Sequence, residues 1–247
     1  MFNQLFLHAS KRQALKYILS KSSYIRSLQC LKSLYFYKFH YKERDPISPE
    51  QQARFDRGHT YGKLAHLLFP GGVDVSPDEP WNYAPSVKLT QSLLLKQQPV
   101  IYEAAFVADE VVVALDILVK RGGLHAFEVK SSTLLGQTIL NDAALQYYVI
   151  TEAGYALEDF TIIHLKPDYK ELPSENVQGL FTNQSVKEYC EGQLAVVKEK
   201  IKEAKEMIRS KQLPSIVQGE HCDKPYPCNY KRICNRSNAF EKGSLFG

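Results

Sequence analysis

No apolar run in the 247 residues approaches the ~20 that a membrane-spanning helix needs, so no such span is expected. Internal repeats and low-complexity tracts are also missing, and the five cysteines include no close CxxC knuckle. The N-terminus, "MFNQLFLHASKRQ", places its basic residues after a short apolar stretch, the reverse of a secretory signal. A cytoplasmic protein is therefore expected. A chain of this length buries roughly three-quarters of its unfolded surface and needs no disulfides to hold a core. In a reducing compartment its cysteines point to a metal or redox role.

Charge is small in sum and uneven in place. The net charge is +4, yet residues 1–45 carry nine Lys/Arg against two acids, and residues 222–247 carry five against two. The middle of the chain is thus net acidic. If the two ends meet they form a basic lobe, a footprint suited to a nucleic-acid backbone, although solvated basic tails are common. Both ends also hold cysteines: Cys30 in one, and Cys222, Cys228 and Cys234 in "CDKPYPCNYKRIC" at the other.

The order of elements is read from periodicity and caps. "ISPEQQARFDRGHTYGKLAHLLFP" opens on Ser48 as N-cap, Pro49 at the first helical position and Gln51 three residues after the cap, predicting a helix that ends before Pro70. Phe55, Gly58, Gly62 and Ala65, widened by Leu64, Leu67 and Leu68, give its packing face. A helix follows near 86–97. Three β-rich runs at 100–107, 111–120 and 124–130, split by short turns, predict an antiparallel meander with a doubly buried middle strand. A helix over 141–153, a strand near 158–166 and a long amphipathic helix over 184–211 precede the cysteine tail. The fold class is mixed α/β.

Within the buried run "VVVALDILV", Asp116 demands a partner or a metal, because an unpaired carboxylate there is costly. In "FEVK" on the next strand, Glu128 and Lys130 are two apart and leave one face together. Two carboxylates and an ammonium in one cleft suit a hard divalent cation, Mg²⁺ or Mn²⁺, acting on a phosphate ester. A buried carboxylate–lysine ion pair is the plain alternative. His59, between Gly58 and Gly62, can supply an imidazole to the same ion. Those glycines are expected to let the helix approach other backbone closely. "DAALQYYVI" offers Gln146 with Tyr147 or Tyr148 to contact substrate or order the site, and Glu103 is either an outer ligand or a partner for Lys130.

Together, Asp116 with Glu128-Val129-Lys130 resembles the PD-(D/E)XK nuclease signature, and the element order resembles that superfamily's restriction-endonuclease-like α-β-β-β-α-β core. His59 in the preceding helix and Gln146-Tyr147-Tyr148 in the following one resemble the RecB-like branch, and the stretches "SYIRSLQCLKSLYF", "RFDRGHTYGKLAHLLFPGGV", "EVKSST" and "QYYV" most resemble its bacterial family of RecB-like proteins. The branch's iron–sulfur members include CRISPR-associated RecB-like exonucleases, the AddB nuclease domain and that bacterial family. The resemblance spans roughly residues 20–236. It implies one domain, with a nuclease core at about 48–166 and a cluster lobe from about 20–45 and 212–236. It further implies a metal set of His59, Asp116, Glu128 and the Val129 carbonyl, with Lys130, Gln146 and Tyr147 serving catalysis. Cys30, Cys222, Cys228 and Cys234 would hold a structural [4Fe–4S] cluster, leaving Cys190 out. The implied substrate is DNA, single-stranded in preference, with a helicase or other DNA-processing partner. The five-residue gaps between the late cysteines, and Ile150 where a tyrosine often stands, depart from the CRISPR-associated members. Thiolate chemistry itself admits zinc or iron–sulfur, the wide gaps favouring the larger cluster. A nuclease-like module that grips DNA without cutting, and a redox protein built on the cluster, are the rival classes.

Overall fold

The computed structural model describes residues 17–169 and 177–243; the first sixteen residues, on which the reading of the N-terminus rests, lie outside them. Hydrophobic alternation builds a mixed seven-stranded sheet with helices on both faces. The chain enters through a short strand β1 (Leu19–Ser20) and helices α1 (Lys21–Gln29) and α2 (Leu31–Phe39). Ser20 caps α1: its hydroxyl accepts from the Ser23 amide while the Ser23 hydroxyl accepts from the Ser20 amide. Helix α3 (Pro49–His66) follows, with Ser48 as N-cap accepting from the Gln51 amide at 3.2 Å and Pro49 in the first turn, as its sequence predicts. Next come β2 (Val73–Asp74) and α4 (Ala84–Leu95).

The meander falls where the turns place it: β3 (Val100–Ala108), β4 (Val111–Arg121) and β5 (Gly123–Lys130). Asp109 and Glu110, both at positive φ, make the tight first turn, and Gly122 at φ 74° makes the second. Helix α5 (Gln137–Glu152) crosses over to β6 (Leu157–Leu165), which runs parallel to β5. A short α6 (Val177–Leu180) leads into β7 (Phe181–Ser185), then the long α7 (Lys187–Ser210) and α8 (Lys231–Gly243). The strand order is β2-β3-β4-β5-β6-β7, with β1 parallel to the start of β4, beyond the end of β5. The strands β1, β2 and β7, and the helices α1, α2, α6 and α8, are additions to the elements expected from periodicity.

Two cores sandwich the sheet. The larger, under α1, α4, α5 and α7, includes Tyr24, Leu34, Leu115, Leu145, Phe160 and Ile201. The smaller lies under α3 and includes Tyr61, Ala65, Ile117, Val129 and Ile163. Helix α3 buries Tyr61 and Ala65, with Leu64 and, just beyond the helix, Leu68 packed beside them as expected, while Phe55 and Leu67 stay exposed. A Cβ built on Gly58 or Gly62 meets nothing within 4 Å among the described residues, so these glycines face open space rather than a close backbone. The expected face thus holds at Leu64, Ala65 and Leu68 and is corrected at Phe55, Gly58, Gly62 and Leu67, where α3 leaves a cavity beside the sheet.

The described parts of the two terminal segments do meet. The Asp45 amide donates to the Asn229 carbonyl at 2.6 Å, Arg232 pairs with Asp45 at 2.5 Å and Arg236 with Glu43 at 2.8 Å. Some of the basic surplus of the ends is thus spent on acids of the same lobe. Among the described residues no helix is long and apolar enough to cross a membrane.

Candidate active site

Strands β3 and β4 each slip by one residue at the same level. On β4, Val111, Val113 and Leu115 face the larger core, but Ile117 and Val119 face the smaller. On β3, Val100 and Tyr102 face the smaller core, whereas Ala104 and Phe106 face the larger. An unbroken strand keeps one parity per face, so the alternation shifts at Glu103 and at Asp116. Glu103 carries the strain, at φ 54°, a region that costs a non-glycine residue on the order of 1–3 kcal/mol. Because both strands slip together, the ladder register is the same on either side: Tyr102 opposes Ile117 and Ala104 opposes Leu115. Glu103 and Asp116 are left facing each other across the interruption.

Beyond Ile117 and Phe127 the β4–β5 ladder stops. The Val129 amide donates to Asp116 Oδ2 at 2.6 Å, so a carboxylate takes the place of a ladder carbonyl. Lys21, first residue of α1, reaches into the fork. Its ammonium donates to the Ala114 carbonyl at 3.4 Å and to Glu128 Oε1 at 2.9 Å. Lys130 donates to the same Glu128 oxygen at 2.6 Å and to Asp142 Oδ2 on α5 at 2.6 Å. Glu128 is almost wholly buried at 1% exposure. Its Oε2 and Asp142 Oδ1 are buried without hydrogen-bond partners among the described residues.

The electrostatics follow from crowding. Burial alone would raise Glu128, but Lys130 and Lys21 outweigh it and hold the carboxyl well below its usual range. Asp116 is pushed up to about 7 by burial and by Glu128, and Glu103 to about 8 by burial and by Asp116. Lys130 and Lys21 pay a desolvation penalty that the surrounding carboxylates more than offset, so both stay protonated well past neutral pH. Lys130 is thus held as an ammonium that donates to both Glu128 and Asp142.

These groups border a cavity of ≈ 670 Å³. His59, Asp116, Glu128, Val129 and Lys130, all expected at the site, line it together; so do Glu103, His66 and Asp74. His59 is exposed on the open face of α3. Gln146 and Tyr147 do not line it. Tyr147 donates to Glu191 on α7 at 2.9 Å, Tyr148 to Asp109 at 3.3 Å, and Gln146 is fully buried with neither amide atom bonded among the described residues. Lys130 pairs with Glu128 and Asp142, so Glu103 is not the partner that its position on the first strand suggested. Lys21 and Asp142 were not anticipated. Asp142 had a local signal, since it lies one helical turn before Gln146 on α5. Lys21 had none, because its partners are about a hundred residues away.

Cys30, Cys222, Cys228 and Cys234 line one small pocket of ≈ 10 Å³, together with Lys32, which is 1% exposed. Cys30 is the N-cap of α2. Burial raises its thiol, while the Lys32 and Ser33 amides of that helix end oppose the rise. Cys228 donates weakly to the Ser33 hydroxyl at 3.5 Å, and Cys234 is raised by burial. Cys190 is buried on α7 away from this pocket, its thiol pushed up to about 12 by burial. Among the described residues, no three His, Cys, Asp or Glu side chains are arranged so as to hold a metal ion as they stand. The donor chemistry of both places nonetheless fits one. The carboxylates Asp74, Glu103, Asp116, Glu128 and Asp142 outnumber Lys21, Lys63 and Lys130, and two of their oxygens are orphaned. Four thiols beside a buried lysine suit an anionic metal–thiolate centre.

No family model and no curated protein matches this chain. Among solved structures, that of SSO0001 is similar over 88% of this chain and 85% of its own length, at 11% identity and a TM-score of 0.38.

Proposed function

We propose that this chain is a metal-dependent nuclease of the RecB-like PD-(D/E)XK type, hydrolysing phosphodiester bonds of DNA. The observation that supports it most is the fork between β4 and β5, where Asp116, Glu128 and Lys130 meet in one cavity. The order α3, then β3-β4-β5-α5-β6 after the interposed β2 and α4, supports reading the core as restriction-endonuclease-like. Asp116 and Glu128, with His59 and the Val129 carbonyl, would hold Mg²⁺ or Mn²⁺, which when bound supplies Lewis-acid charge and an activated water. The chain's own groups do the rest. Lys130 and Lys21 present two fixed positive charges to a phosphate whose negative charge grows during attack. Cys30, Cys222, Cys228 and Cys234 would hold a [4Fe–4S] cluster, or zinc in its place, pinning the C-terminal loop to α2.

A second reading, a nuclease-like module that binds DNA without cutting it, is favoured by one observation: two lysines already close on Glu128. Mn²⁺-dependent degradation of labelled single- and double-stranded DNA, beside Glu128→Ala and Lys130→Ala, separates the two. Degradation abolished by both substitutions supports the nuclease. A wild type that binds DNA and leaves it intact supports the module.

A further inference from the structure

A second cavity, of ≈ 880 Å³, opens next to the carboxylate cavity, with Lys130 and Ser131 in the walls of both. It runs between α1, α3, the turn after β5 and the loop that joins Cys222 to Cys228. Lys21, Arg26, Arg54, Arg57 and Lys130 line it, and Asp142 is the one acid among the described residues that do. A groove with that surplus suits a polyanion. Its outer wall adds two uncovered aromatic rings, Phe55 at 42% and Tyr226 at 38% exposure. The Arg54 guanidinium sits 5.4 Å from the centroid of the Tyr226 ring.

Tyr226 is held by its backbone, not by its ring. Gln29 on α1 donates to the Tyr226 carbonyl at 2.7 Å and to the His221 carbonyl at 2.8 Å. Asn229, three residues on, donates to Gln51 of α3 at 3.2 Å. The loop is thus tied to α1 and α3 while the phenol ring remains at the surface beside a cation. Basic grooves that carry exposed aromatic rings bind unpaired bases by stacking and the backbone by charge; a duplex hides its base faces.

We propose that Tyr226, with Arg54 and Phe55, forms a stacking platform that captures a single nucleic-acid strand at the entrance to the carboxylate cavity. This rests on the nuclease reading only for where the strand leads. The test is fluorescence anisotropy of labelled oligo(dT) and of a hairpin duplex, with EDTA to prevent turnover, using the full chain and its variants. Tyr226→Ala and Arg54→Ala each weaken oligo(dT) binding by about tenfold, the size expected for one lost stacked base. Tyr226→Phe stays within about twofold of wild type, and Tyr226→Ala leaves duplex binding unchanged. Wild-type affinity in Tyr226→Ala, a loss in Tyr226→Phe equal to that in Tyr226→Ala, or equal losses on strand and duplex would each overturn the platform. Hydrolysis of bis(4-nitrophenyl) phosphate with Mn²⁺ keeps the two proposals apart. A wild type inert in that assay counts against the nuclease and leaves the binding result standing.

Discussion

Replacing Lys21 by methionine removes the cation that reaches the fork from α1, and its effect can be worked from the contacts. The ammonium lies 2.9 Å from Glu128 Oε1 and 4.0 Å from Asp142 Oδ2, against a Glu128 side chain that is 2% exposed. Breaking a buried ion pair outright costs about 3–5 kcal/mol. Here Lys130 stays on the same oxygen at 2.6 Å, and Lys21 itself is 29% exposed. The loss falls instead in the range of a charged hydrogen bond, about 1.5–3 kcal/mol. Urea denaturation at pH 7 with EDTA measures it, and a double-mutant cycle with Glu128→Gln assigns it. In the Glu128→Gln background Lys21→Met should cost well under half as much. The sign with pH follows from Glu128, whose carboxyl is depressed in the folded state. Its contribution is present above the ordinary glutamate value of about 4.3 and disappears as pH falls through the folded value. The gap between wild type and Lys21→Met should therefore narrow in acid, and widen toward pH 8 as Asp116 and Glu103, which Lys21 also stabilises as carboxylates, ionise. A loss under about 0.5 kcal/mol, or an equal loss in both backgrounds, would refute the geometry of the fork.

Asp116 and Glu103 move the other way. Their folded values, about 7 and about 8, lie above the unfolded ones, so the metal-free protein should lose stability as pH rises from about 4 to 8. Thermal melts across that range should show it, with Mn²⁺ flattening the slope and Asp116→Asn raising the melting temperature at pH 8. Gln146→Leu removes two unbonded polar atoms from the core and should stabilise the protein by about 1–3 kcal/mol in urea; a destabilisation would place an unseen partner on that amide. Anaerobic purification should give a brown protein whose iron is lost in Cys228→Ser and kept in Cys190→Ser, since Cys190 is sealed in the α7 core. Iron retained in Cys228→Ser, or a colourless preparation with stoichiometric zinc, would reject the cluster.

What the sequence made legible were features with local causes. The bounds of β3, β4 and β5 follow from β-branched runs cut by turns that demand positive φ, and the start of α3 from its serine cap and proline. Asp116, Glu128 and Lys130 stood out because each is a charge placed where apolar residues were due. Long-range effects were hidden. The "FTNQS" of β7 is mostly exposed and shows no alternation, because it lies at the sheet edge. Lys21 looks like any first-turn lysine until β1 pairs with β4 and points α1 at the fork. Tyr147 shares a motif with Gln146, yet successive helical residues diverge by about 100°, and its hydroxyl meets α7 instead. Gly58 and Gly62 suggested close packing, whereas the same lack of side chain also serves to open a cavity.

The central claim is that Asp116, Glu128 and Lys130 form a phosphodiester-cleaving centre. The most direct measurement is the Mn²⁺-dependent rate of release of labelled fragments from single-stranded DNA by wild type, Glu128→Ala and Lys130→Ala, each shown to be folded by its melting curve. The account predicts cleavage by wild type, dependent on the added metal, and a fall of at least about a hundredfold in either variant, the scale of losing a preorganised charge at a reacting phosphate. Cleavage that persists in both folded variants would contradict it.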